Sequence, residues 1–154
     1  MKLVLRCALA VSALIYNLHA HAVCTVSAVP LAFGNYDTFR AAPTDSTGNI
    51  AVTCSGPVGA KMAYTIALFS ARATGATRQM RSPAGGALTY SLYVDPARST
   101  VWGDGSSNTK VVADGYTLTA PSISRNYPVY GRIPGRQNAV VGVYSDTVQV
   151  SVDF

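Results

Sequence analysis

The chain has 154 residues, close to half of them hydrophobic and 12% charged, with a formal net charge of +5. That length allows one domain with a real core. The basic residues are scattered, without a run or an aromatic-basic stripe, so nucleic-acid binding is not indicated.

The first element is a leader. Lys2 and Arg6 give a basic start, residues 7–16 are apolar apart from Ser12, and Ala20-His21-Ala22 supplies a small-x-small cleavage signal. We expect a secretory signal peptide over residues 1–22, cut after Ala22. The apolar run is too short for a membrane anchor. Lipidation at Cys24 fits poorly, because Val23 stands where a small residue is needed. The expected mature domain is residues 23–154, and loss of Lys2 and Arg6 lowers its formal charge to +3.

Cleavage also removes His19 and His21, and the sequence contains no Glu. The mature chain cannot build a Ser-His-Asp triad, a Cys-His pair, a His-bearing zinc site or a Glu general acid. We therefore expect no enzyme, no cofactor and no metal. Cys7 leaves with the leader, and Cys24 and Cys54 remain as an even pair in an exported chain. A disulfide is expected between them. It would close a loop of about 30 residues, contributing on the order of 3–4 kcal/mol in the chain-entropy model.

The mature chain reads as all-β. A first strand covers residues 24–29 and is stopped or redirected by Pro30; Leu31-Ala32-Phe33-Gly34 follows. Residues 35–48 read as a polar loop. Ile50, Val52 and Cys54 alternate inward on a second strand, and Met62, Tyr64, Ile66 and Leu68 on a third. A connection over residues 71–79 leads to Met80 and Arg81. Leu88, Tyr90, Leu92 and Val94 alternate again. Residues 101–103 are a short piece, and residues 116–119 and 127–133 complete the set before the last strand. At the end, Val148, Val150, Val152 and Phe154 alternate with Gln149, Ser151 and Asp153. A period of two puts the apolar four on one face of a strand whose second edge has no later strand to pair with. Seven or eight strands with regular turn signals predict an immunoglobulin-like β-sandwich.

Three smaller patterns have structural readings. Asp104-Gly105-Ser106-Ser107-Asn108 opens like a calcium loop, but Thr109 and Gly115 occupy the glycine and glutamate positions, so it reads as a solvated loop. Asp95, Asp104 and Asp114 would be the carboxylates of a hydrolase, yet all lie in turn-like contexts where Asp caps the backbone. Tyr64 and Tyr90 are expected in the core, Tyr127 and Tyr130 near a loop, and Tyr144 as a phenol bonded back to upstream backbone.

An ordered set of residues runs through the whole mature chain. Cys24, Phe33-Gly34-x-Tyr36 and Gly48-x-Ile50-x-Val52-x-Cys54 begin it. Arg81, Leu88-x-Tyr90-x-Leu92-Tyr93-x-Asp95 and Trp102-Gly103 continue it. Tyr130-Gly131-Arg132-Ile133-Pro134, Gln137 and the alternation from Gly142 to Phe154 close it. In this the chain resembles the spore coat protein U domain family, secreted subunits of archaic chaperone–usher pili. The resemblance implies an incomplete sandwich lacking its last strand. A periplasmic chaperone would lend a strand to a groove lined in part by Val148, Val150, Val152 and Phe154. After passage through an outer-membrane usher, a neighbouring pilin subunit would replace it. Cleavage after Ala22 would leave only Val23 ahead of Cys24, so the expectation is a terminal or tip subunit that accepts a strand but gives none. The alternative is a self-complete adhesin or carbohydrate-binding module in which residues 31–33 cover the last strand's edge.

Overall fold

The computed structural model describes residues 22–154; the expected leader, apart from Ala22, lies outside the described residues. Eight strands follow one another: β1 (Val23–Val29), β2 (Thr44–Ser55), β3 (Lys61–Ser70), β4 (Arg78–Arg81), β5 (Ala87–Tyr93), β6 (Val112–Thr117), β7 (Ser122–Ile133) and β8 (Val148–Asp153). They form two antiparallel sheets, one ordered β1-β2-β7-β5-β4 and the other β6-β3-β8. The fold is the expected all-β sandwich of immunoglobulin-like type.

The core lies where the apolar alternations of the two sheets face each other. Ile50, Val52 and Cys54 from β2 meet Tyr64, Ile66 and Leu68 from β3 and Leu88, Tyr90 and Leu92 from β5. Trp102, in a short bridged segment, is completely buried, and its indole N–H donates to the Ile66 carbonyl at 3.0 Å. That bond satisfies the one polar atom of a side chain otherwise suited to a core. β1 pairs with β2 residue for residue, with Cys24 opposite Cys54, and the two sulfurs are bonded.

Several boundaries differ from the sequence reading. β2 starts at Thr44, inside the stretch read as loop, because Thr44 to Gly48 pair with the end of β7 and Asp45 binds Arg132 through two bonds of 2.8 and 2.9 Å. β7 starts at Ser122 for the same reason: its early polar residues pair with β2 as far as Ser55. β4 takes in Arg78 and Gln79, which the sequence assigned to a connection. β6 ends at Thr117, and Leu118 is instead a buried corner held to Ala60 and Gly59 by backbone bonds.

Candidate functional site

The site is an opening in the sandwich between β1 and β8. β8 pairs with β3 from Ser70–Val148 to Thr65–Asp153 and stands last in its sheet. Among the described residues no strand pairs with its other edge. The alternation in sequence turns Val148, Val150 and Val152 toward the core, against which all three pack while remaining partly exposed.

The opposite wall tells the same story. Cys24, Val26 and Ala28 lie on the face of β1 that continues the inward face of β2, opposite Cys54, Val52 and Ile50. Val52 is fully buried, yet its partner Val26 is 42% exposed. The larger sheet therefore extends one strand further than the smaller sheet covers. A gap of about 440 Å³ lies there, with Ala28 to Leu31 and Phe33 on one side, Tyr144 to Val148 and Val150 on the other, and Leu68, Met80, Leu92 and Val129 at its base. A second hollow of about 600 Å³ shares Leu31, Phe33, Met80 and Tyr144 with it and continues between residues 31–39 and 139–144. Phe39, Val140, Val141 and Val143 stand exposed along this continuation. The result is one long apolar groove with an unpaired strand edge along it.

Polar groups hold the groove's walls in place. Asp146, whose side chain is 3% exposed, accepts bonds from the hydroxyls of Ser70 (2.8 Å) and Tyr90 (2.7 Å) and pairs with Arg72 at 3.3 Å. Burial, and then this bond to Asp146, push the Tyr90 phenol well above its ordinary value. Arg81 and Ser145 exchange two backbone bonds, so the approach to β8 is fixed to β4. Gln137 donates and accepts at Thr89, and its backbone N–H donates to the Tyr36 hydroxyl oxygen at 2.8 Å, which ties residues 134–137 to β5 and to the 30–39 segment. The Tyr144 hydroxyl donates to the Val140 carbonyl at 2.8 Å, the upstream bond expected of it. Arg78 is buried; one of its terminal nitrogens donates to the carbonyls of Leu68 and Trp102, and burial lowers its pKa.

The expected site residues fall as follows. Val148 and Val150 line the gap directly. Val152 packs against the core beyond it, and Phe154 is 71% exposed with its ring edge-on to Tyr64 at 5.7 Å. Leu31 and Phe33 border the groove but form no strand with β8, so the self-complete alternative lacks its covering strand. Gln137 and Asp146 stand in the ordered residue set that carries the family resemblance, but the sequence assigned them no role in the groove. Arg78 was read only as part of a connection.

The three candidate carboxylates hold turns and pairs. Asp95 accepts the backbone N–H groups of Ser99 and Thr100, the first of which does most to lower its pKa. Asp104 accepts the hydroxyl and N–H of Ser106, and its pKa falls for that reason. Asp114 is held below the usual carboxylate range first by the Tyr127 hydroxyl and then by the Gly115 N–H and Arg125. Tyr127 in turn bonds Tyr64 at 2.6 Å. Among the described residues, no three His, Cys, Asp or Glu side chains are grouped to hold a metal ion.

Fold and groove together define an immunoglobulin-like β-sandwich with one strand position open. The chain belongs to the Spore Coat Protein U domain family, whose model matches residues 9–151. It is 33% identical over 133 residues to Protein U of Myxococcus xanthus, covering 80% of this chain and 71% of that one. A chain in the crystal structure of the CsuC–CsuE chaperone–tip adhesion subunit pre-assembly complex, from the archaic chaperone–usher Csu pili of Acinetobacter baumannii, superposes with a TM-score of 0.56 at 21% identity. That match covers 87% of this chain but 40% of the other, and at this identity the likeness is one of fold.

Proposed function

We propose that the protein is a non-enzymatic structural subunit of a chaperone–usher pilus or surface coat, exported to the cell surface and completed by a strand from another chain. The observation that carries this reading is the exposure of Val26 on a face whose neighbour Val52 is fully buried. A strand added along β8 would cover that face, fill the groove and pair the free edge. Six residues of β8 offer about 20 Å of edge at roughly 3.3 Å per residue. Main-chain bonds along such an edge give affinity, and apolar side chains set in the groove give register. Family membership, and the fold shared with a chain of a chaperone–subunit complex, support the same reading.

The donor would be a periplasmic chaperone first and a neighbouring subunit after passage through the usher. Residues from Val23 onward are taken up by β1, so a strand for the next subunit has to come from residues ahead of it. Cleavage after Ala22 would make the chain a receiver with nothing to give, hence a terminal subunit. Expression in the periplasm with and without a chaperone of this class, followed by size exclusion and intact-mass detection, tests both points. Recovery only as a one-to-one complex is expected. A stable, soluble monomer without the chaperone would overturn the reading, and a mature N-terminus well ahead of Val23 would overturn the terminal position.

A further inference from the structure

Among the described residues, each sheet ends in two strands with one side unpaired by another strand: β1 and β4 in the larger, β6 and β8 in the smaller. Folded proteins usually blunt such edges with charge, proline, bulges or shortness, because an open edge pairs with other chains. β4 is four residues long, carries Arg78 and Arg81 at its ends, and has Ser145 bridged to its outer side. β6 carries Asp114 and Gly115 in its middle. β8 is the edge of the groove. β1 has none of these devices. Its sequence, Val-Cys-Thr-Val-Ser-Ala-Val, has no charge, proline or glycine, and its register with β2 is unbroken over all seven residues. The bond between Cys24 and Cys54 ties it to β2. The adjoining part of β2, residues 49–55, is uncharged as well.

An edge of this kind suits a copy of itself. Two β1 strands brought together by a two-fold axis run antiparallel and meet no like charge on the strands or on the β2 segments behind them. We propose that β1 is a contact between copies of this chain: β1 of one subunit pairs with β1 of another and joins two five-stranded sheets into one of ten strands. The groove uses the inward face of β1 and the edge of β8, whereas this contact uses the outer edge of β1. The two can therefore operate together. One strand pair is a small interface, so the association is weak and depends on concentration.

Thr25 and Ser27 point away from the core, where the Thr53 hydroxyl donates to that of Ser124 at 2.9 Å, and neither lines the groove. The test is sedimentation equilibrium of the subunit, in complex with its chaperone or alone if it folds alone, over a wide concentration range. The expected result is a mass that doubles as concentration rises, and that stays single in the Thr25→Lys/Ser27→Lys variant, which sets lysines against lysines across the two-fold. Gln79→Lys on β4 should leave the doubling in place. Chaperone stoichiometry should be the same in all three, which separates this contact from the groove. Amide exchange on the unmodified protein gives a second readout independent of any variant's folding: exchange in β1, and not in β4, should slow as concentration rises. A mass that does not change with concentration, doubling retained in the double variant, or protection outside β1 would each overturn the proposal.

Discussion

Replacing Val150 with Asp probes the groove where its wall meets the core. Val150 sits opposite Leu68 on β3 and faces the gap between the sheets. In the free subunit it is partly exposed, so an aspartate there keeps some contact with water. Once a donor strand covers it, the carboxylate is buried among apolar side chains. Loss of the valine's burial costs about 1.5–3 kcal/mol. An unpaired charge costs several kcal/mol more, or protonates at a similar cost. A total near 4 kcal/mol corresponds to about a thousand-fold loss of affinity, since each 1.4 kcal/mol is tenfold. The assay is capture by a tagged chaperone, read as the molar ratio of subunit to chaperone after purification. Gln149→Asp is the control, because Gln149 lies on the same strand with its side chain exposed on the opposite face. Val150→Asp should fall to background while Gln149→Asp is captured normally. Equal capture of both variants would refute the argument that this face of β8 receives the strand.

Other consequences are open to measurement. Cys54→Ser should lower periplasmic yield and stability by about 3–4 kcal/mol, the loop-closure value for a bridge of this span; an unchanged denaturation midpoint would deny the bond a structural role. Gly48→Ala should cost about 1–3 kcal/mol by overpacking, because a Cβ there would lie 2.7 Å from the Val29 carbonyl oxygen, a backbone atom with little room to move. Urea midpoints of the variant and the native protein would show the difference. Asp114, with its native pKa lowered, contributes stability above the ordinary carboxylate value and loses that contribution as pH falls through its lowered one. Tyr127→Phe removes the bond that lowers it most, so the variant's deficit should be clear at about pH 7 and shrink as the pH falls through Asp114's lowered value. A deficit that does not change as the pH falls would mean that the phenol–carboxylate bond is not its source.

Much of this architecture was legible because the side chains repeat with period two. The inward faces of β2, β3, β5 and β8 are the alternations at Ile50, Tyr64, Leu88 and Val148, and an even pair of cysteines in a chain read as exported sufficed for the bridge. The polar ends of long strands were harder to read. Residues 44–48 and 122–126 look like loop by composition and are strand because each supplies the other's partners, a pairing between distant parts of the chain that local sequence does not express. Trp102 and Arg78 were missed as core for a related reason: the Trp102 indole N–H and one terminal nitrogen of Arg78 donate to carbonyls of Ile66, Leu68 and Trp102 that only the assembled fold brings near. The free edge of β8 could be suspected from the family resemblance, which implies a sandwich lacking its last strand. The matching exposure of β1 could not, since Val26 looks like any inward valine until the smaller sheet proves to stop short of β1.

The central claim is that a strand from another chain lies over β1 and beside β8. A photo-activated cross-linker at position 26 tests it directly, because that side chain faces the open strand position. Irradiating the chaperone–subunit complex should give one product, with the cross-link mapped to an extended segment of the chaperone, and the same probe at the outward-facing position 53 should give none. No cross-link from position 26, or one joining it to this chain's own residues, would mean that the sandwich closes without a donated strand.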